Sequence, residues 1–466
     1  MNQPEGPRRR RLVPGLLLAS VLCAAWTPVA ALEPPLHISQ YAHTAWTAKD
    51  GAALGLVFAM AQTHDGYLWV AGSFGMFRFD GLRFVPWQPP DQALPAKPYA
   101  LLVSRDGVLW IGTFNGLASW DGTALKLHPG VGNGFVTSLL EDRDGTIWAG
   151  MLAERGRLCA IRNGQAECDA PQEGFGQFVW SLAEDGAGVL WAGADSGLWR
   201  WKPGAPRRFD TTGMRVGDLS TTADGELLVG IRGAGIRRLA GDRLVPYPMH
   251  SAVTPGKPVP DQDVKSNKLL RDRDGGLWIG TEGLGIIHLK DGKADAFSRA
   301  EGLSGNIACS LFEDREGNIW FGSEKGVDRF RKLPVTTLSK PQGLPNEVTK
   351  SVLATTDGSV WVGTNDGLAR WRDGRATVYT ERDGLPGAQV QSMYQDAEGR
   401  LWVSTGRGLA RLAGDRFVAV QGVPGKEVYS MTGDAAGNLW LSGNEGLTRL
   451  HQGQVVETLP WSALGR

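Results

Sequence analysis

Seven histidines, His37, His43, His64, His128, His250, His288 and His451, are scattered through the 466-residue chain without metal-ligand spacing. No HExxH, GxSxG, P-loop or dinucleotide fingerprint is present. Carboxylates are plentiful, but they recur in turns and in Glu-Asp pairs such as Glu141-Asp142, Glu184-Asp185 and Glu313-Asp314, a regularity that reads as structural. The residues that stand out are a mixed set: Phe58, Tyr99, Asn115, Trp180, Arg232, Asn267 and Glu282. Aromatic faces stack on sugar rings, while Asn, Arg and Glu recognise hydroxyls or carboxylates. The set suits binding of an oligosaccharide or similar polar small molecule, with no catalytic residue, metal or cofactor assigned. The plainer reading of each aromatic is that it plugs a channel.

These residues are positioned by a repeated phrase: a Gly-containing turn, an apolar-Trp pair, a short strand, then Gly and an apolar residue. Clear copies are DGVLWIGTFNGLASWDG at 106–122 and DGGLWIGTEGLGIIHLKDG at 274–292. The anchors are Trp69, Trp110, Trp148, Trp191, Leu228, Trp278, Trp320, Trp361, Trp402 and Trp440. Their spacing near forty residues means one supersecondary unit per repeat. Each unit holds four short strand-forming runs divided by turns, which predicts a four-stranded antiparallel blade. Asp-Gly recurs because two-residue hairpins need positive φ at their centre. Turns such as 142–145 and 272–275 begin like calcium loops but lack the later ligands, so they read as hairpins.

Stacked blades make an all-β propeller, and ten repeats exceed the usual four to eight. Nine repeats join their last two strands through a Gly-containing turn, but the seventh reads Val327-Asp328-Arg329-Phe330-Arg331-Lys332-Leu333-Pro334 without one. The segment 41–51, YAHTAWTAKDG, aligns with the outer strand and exit loop at 376–384. It therefore supplies the missing strand of the seventh blade. The expected organisation is a seven-bladed ring over 40–333, then three blades of an incomplete second ring over 334–466. A single ten-bladed ring is the alternative. Binding faces of such rings are built by the loop entering the inner strand and the loop between the second and third strands. Ten and eleven residues before each anchor, one slot holds mostly small residues while the other varies widely, from Gly217 to Trp180.

Arg8–Arg11, the apolar run 12–26 and the small residues Val29-Ala30-Ala31 read as a secretory signal over 1–31, followed by a linker over 32–39. A retained signal-anchor is the alternative. Lys plus Arg and Asp plus Glu are both 49, so no electrostatic footprint for nucleic acid exists. Cys23 leaves with the signal. Cys159 and Cys168 flank the turn Asn163-Gly164 symmetrically, which sets them opposite each other and predicts a disulfide in an oxidising compartment; two core thiols are the alternative. Cys309 has no evident partner.

The repeats, the segment 41–51 and phrases of the Ile147-Trp148-Ala149-Gly150 kind resemble the two-component regulator propeller family over residues 40–460. The resemblance implies a periplasmic sensor region of a hybrid histidine kinase or diguanylate cyclase, and many members of that family sense oligosaccharides. This sequence departs from that pattern in showing no second membrane helix, phosphoacceptor histidine region or cyclase motif. The expectation is a ligand-sensing propeller that acts through a separate membrane kinase or cyclase, or as a sensor fragment. Two other classes remain: a propeller lyase or hydrolase acting on polysaccharide or antibiotic, for which His64, His250 and His288 are the residues to place, and a protein-interaction scaffold.

Overall fold

The computed structural model describes residues 36–90, 92–222, 224–249, 264–333, 335, 337–424 and 427–465. The expected secretory signal 1–31, half of the linker (32–35) and His250 lie outside them. The described chain forms ten four-stranded antiparallel sheets, the propeller blades expected from the repeats. In blade 8 the strands are Thr349–Ala354, Val360–Thr364, Gly367–Arg372 and Arg375–Tyr379. Its last hairpin turns through Asp373 at φ 50° and Gly374 at φ 74°. Both are left-handed, which matches the right-handed twist of the flanking strands.

Nine sheets take their strands in chain order; the seventh does not. Its order is Ala42–Thr47, Gly326–Arg331, Ile319–Ser323, Ala308–Glu313. The first strand of the described chain thus pairs antiparallel with a strand nearly three hundred residues later, with His43 opposite Phe330 and Trp46 opposite Val327. Trp46 also stacks on Trp320 at 5.6 Å between centroids.

Apolar clusters fill the seams between successive blades. One joins Val57, Leu68 and Val70 of blade 1 to Trp320 and Val327 of blade 7. Others join Trp278 of blade 6 to Phe321 and Phe330 of blade 7, and Trp361 of blade 8 to Leu401 and Val403 of blade 9. At the seam between blades 7 and 1 the approach is close enough to demand glycine: a Cβ on Gly322 would sit 2.3 Å from Ser310 Oγ and 2.6 Å from Val57 Cγ1. Ser310 Oγ donates to the Val57 carbonyl across that seam, at 2.8 Å.

The anchor indoles are held from below. Trp148, Trp191, Trp278, Trp320, Trp402 and Trp440 each donate Nε1–H to an Asp six residues earlier, at 2.7 to 2.9 Å. Asp142 shows why these turns are structural: its carboxylate accepts from Trp148, from the Thr146 amide and from Lys202 Nζ. Cys159 and Cys168 face each other across the outer hairpin of blade 3 and are disulfide-bonded, with Cα atoms 4.0 Å apart.

Candidate functional site

Every inner strand carries a β-bulge at its second residue. The register skips Phe58, Tyr99, Thr137, Trp180, Gly217, Asn267 and Cys309 in the first seven blades. A bulge leaves one residue outside the ladder and re-aims its side chain. These are the positions that vary most between repeats in the sequence.

Two further positions complete the frame. The residue before the inner strand accepts, through its carbonyl, the amide of the first residue after the second strand. The pairs are Leu56 with Ser73, Lys97 with Phe114, Phe135 with Leu152, Phe178 with Asp195, Arg215 with Arg232, and Lys265 with Glu282, at 2.8 to 3.2 Å. This backbone tie holds both loops of a blade to one height, so each blade presents three side chains at the same mouth.

In blades 1 to 4 six of these twelve positions hold rings. Phe58 lies 4.8 Å from Tyr99, Tyr99 lies 4.7 Å from Phe135, and Phe135 stacks on Phe114 at 4.2 Å. The arc continues through Phe178, which stacks on Trp180 at 4.3 Å. Trp180 donates its indole N–H to Asp195 at 2.7 Å, and the Arg215 guanidinium lies over its ring at 5.0 Å. With Phe178 and Arg215 on its faces, Trp180 supports the arc rather than offering a free platform. Phe114 is 44% exposed and Phe74, in the neighbouring loop, 71%.

Blades 5 to 7 fill the same positions with charge. Arg232 pairs with Glu282 at 2.8 Å across two blades, and Glu324 accepts from the Ile307 amide at 3.0 Å. The slot after the bulge is small in Ala59, Ala100, Ser138, Ser181 and Ser310, but blades 5 and 6 place Asp218 and Lys268 there. Burial pushes the Asp218 carboxyl up, while the facing Asp218 holds Lys268 above its ordinary value. Tyr99 and Cys309, from blades 2 and 7, act on Lys268 in the same direction. Burial raises the Tyr99 phenol, and burial with Glu324 raises the Cys309 thiol to about 11. A thiol so raised is a poor nucleophile.

The structure therefore brings Phe58, Tyr99 and Trp180 into one aromatic arc and pairs Arg232 with Glu282. Asn115 is exposed in the turn beside Phe114, its amide tied to Thr113 Oγ1 at 3.1 Å. Asn267 occupies the bulge of blade 6, and its side chain lies outside the described part. Phe135, Phe178, Arg215, Asp218 and Lys268 join the site although sequence reasoning did not select them. A signal for the last two was available: they are the only charged occupants of an otherwise small slot in the first seven repeats. Among the described residues, His64 and His288 do not gather at the mouth. His64 sits in the turn between the first two strands of blade 1, at the opposite end, and His288 is buried against Trp278 at 4.3 Å.

Ten four-stranded antiparallel blades, with rings and charges on their entry loops, define a β-propeller. The family model described as two component regulator propeller matches residues 130–152, 259–283, 302–325 and 384–407, so four stretches of the chain match that family's repeat. The extracellular domain of the hybrid two-component system BT3049 from B. thetaiotaomicron superposes with a TM-score of 0.67 at 19% identity, over 91% of this chain and 61% of that one. This chain thus spans about three fifths of that domain's length. A catalytically inactive virginiamycin B lyase from Staphylococcus aureus, solved with quinupristin, aligns at TM-score 0.50 and 14% identity over 63% of this chain and all of the other. A streptogramin B lyase aligns at 0.52 and 14% over 64% of this chain and 99% of its own. At these identities the likeness is one of fold. No curated protein matches the sequence.

Proposed function

We propose that this protein is an exported sensor propeller of two-component type that binds an oligosaccharide or similar polar small molecule at the mouth of its first ring and leaves it chemically unchanged. The observation that carries this reading is the division of one mouth into an aromatic arc and a charged arc. Sugars present the complementary pair of surfaces, apolar C–H faces and polar edges. The raised thiol of Cys309, the protonated Tyr99 and the distance of His64 and His288 from the mouth favour binding over turnover. Domain organisation follows the same reading: residues 40–333 form a closed ring of seven blades and 334–466 three blades of an incomplete second. The seam cluster between blades 7 and 1 supports this, as does the strand Ala42–Thr47 completing blade 7. The periplasm is the proposed compartment, which suits the Cys159–Cys168 bond, and a separate membrane kinase or cyclase is the proposed receiver.

Calorimetry against an oligosaccharide panel, with product analysis of the same mixtures, tests both halves. Phe114→Ala should weaken binding by about 1 to 3 kcal/mol, the range for lost aromatic stacking. Turnover of a bound sugar would move the protein to the lyase or hydrolase class. A second reading has its own observation: Leu56, Phe74, Leu284 and Ile307 are exposed on these same loops, which suits a protein partner. Binding that Phe74→Ser and Ile307→Ser abolish for a protein, with no sugar bound by the parent, would favour the scaffold.

A further inference from the structure

In seven of the ten blades the third strand sets an arginine opposite the anchor: Arg78, Arg200, Arg238, Arg329, Arg370, Arg411 and Arg449. In blade 8 it pairs with both a ring and a carboxylate. Arg370 lies over Trp361 at 5.4 Å, donates from Nε to Ser359 Oγ at 2.9 Å and from Nη2 to Asp357 at 2.7 Å. Two of the three exceptions are filled by other means. Blade 3 has Ala160 there, and Lys202 of blade 4 reaches across to lie 5.2 Å from the Trp148 ring and bond Asp142 at 2.6 Å. Blade 6 has His288, stacked on Trp278.

Blade 2 is different. Ser119 stands opposite Trp110, and a cleft of about 400 Å³ opens between blades 2 and 3, lined among others by Asp106, Trp110, Ser119, Lys126, His128 and Glu141. Trp110 is half-buried, whereas the anchors of blades 1, 3, 4, 6, 7, 8 and 9 are buried. His128, only 6% exposed, stacks on Trp110 at 4.7 Å and meets Ser119 Oγ through Nε2 at 2.9 Å. Its Nδ1 is buried and has no hydrogen-bond partner. Burial, with Lys126 nearby, lowers His128 to about 4, so at neutral pH it covers the indole without bringing a charge. Asp106 corresponds to Asp357 of blade 8. It is held by Ser104 Oγ at 2.5 Å as Asp357 is held by Thr355, but it receives no guanidinium.

The other charges of the cleft are accounted for. Glu141 pairs with Arg105 at 3.1 Å, and Asp121 is taken by the Thr123 and Ala124 amides of its own hairpin. Lys126 is exposed at the rim. What remains is a carboxylate, an indole edge and an unpartnered ring nitrogen around the place a guanidinium occupies in sister blades. We propose that this cleft binds a small solute carrying a guanidinium or primary ammonium group, its cation seated beside Asp106 where arginine sits elsewhere in the repeat. Such a cation gains the carboxylate pairing that arginine makes in blade 8, beside the indole edge that His128 leaves uncovered. The volume suits a molecule of amino-acid size. In the neutral imidazole, the tautomer that donates from Nε2 to Ser119 leaves Nδ1 free to accept a hydrogen bond.

The test is calorimetry on the full chain with butylguanidinium and its uncharged isostere butylurea. One butylguanidinium per chain should bind, and butylurea at least tenfold more weakly. Ser119→Arg should supply the guanidinium from within, raising the melting temperature and abolishing butylguanidinium binding. Asp106→Asn, at an exposed position that keeps the turn, should weaken binding at least tenfold whether or not the arginine variant folds. Equal binding of the two probes, absence of butylguanidinium binding to the parent, or undiminished binding in Asp106→Asn would overturn the proposal.

Discussion

Trp278 has no exposed surface, stacks on His288, meets Tyr41 edge-on at 5.4 Å and donates to Asp272. Truncating such a ring leaves a cavity and removes the donor to one carboxylate oxygen of Asp272, so Trp278→Ala should cost about 3 to 5 kcal/mol in urea unfolding. The partner carboxylates add a pH dependence. Burial works against ionisation of Asp142, yet hydrogen bonds from Lys202, Trp148 and the Thr146 amide hold it at about 2. The unfolded chain titrates near 4. A depressed carboxylate contributes stability that is complete above the unfolded value and is lost as pH falls through the folded one. Wild-type stability should therefore fall between about pH 4 and pH 2, by roughly 2 kcal/mol from this group. Lys202→Met should flatten that dependence while lowering stability at neutral pH. Unfolding curves of the two proteins that run parallel through this window would refute the assignment.

At the scale of strands and seams, Gly322 is fixed by its neighbours rather than by its own torsions, since Ser310 and Val57 leave no room for a methyl. Gly322→Ala should cost about 1 to 3 kcal/mol as the seam is forced apart. A melting temperature equal to that of the parent would show that blades 7 and 1 do not meet tightly there. The blades, the anchors and the pairing of 42–47 with the seventh blade were legible in the sequence because each rests on local periodicity or on one missing turn. The varying slot was legible too, as Phe58, Tyr99 and Trp180 showed. What was hidden is what depends on closure. Asp218 and Lys268 lie fifty residues apart in sequence and become neighbours only when blades 5 and 6 pack. Phe135 and Phe178 precede their strands and look like loop residues until the backbone ties to Leu152 and Asp195 lift them to the mouth. The cleft behind Trp110 needs a comparison between blades at one position, Ser119 against Arg370, which the repeat phrase alone does not mark as special.

For the molecule as a whole, the pairing of its first described strand with blade 7 joins the two ends of the proposed ring. Such closure ties ends that lie far apart in sequence and removes two exposed sheet edges. The register sets Ala42 opposite Arg331. Replacing both by cysteine should allow a bond between them under mild oxidation, found by peptide mapping without reductant. Because that bond closes a loop spanning nearly the whole proposed ring, it should raise the unfolding free energy by an amount approaching about 5 kcal/mol, reversed by reductant. The control places the second cysteine at Val335, which is 71% exposed. If Ala42→Cys links to position 335 in preference to 331, the chain after blade 7 occupies the outer slot and the boundary between the two groups of blades is misplaced. If it links between two copies of the chain, the strand is exchanged and the ring closes only as a dimer.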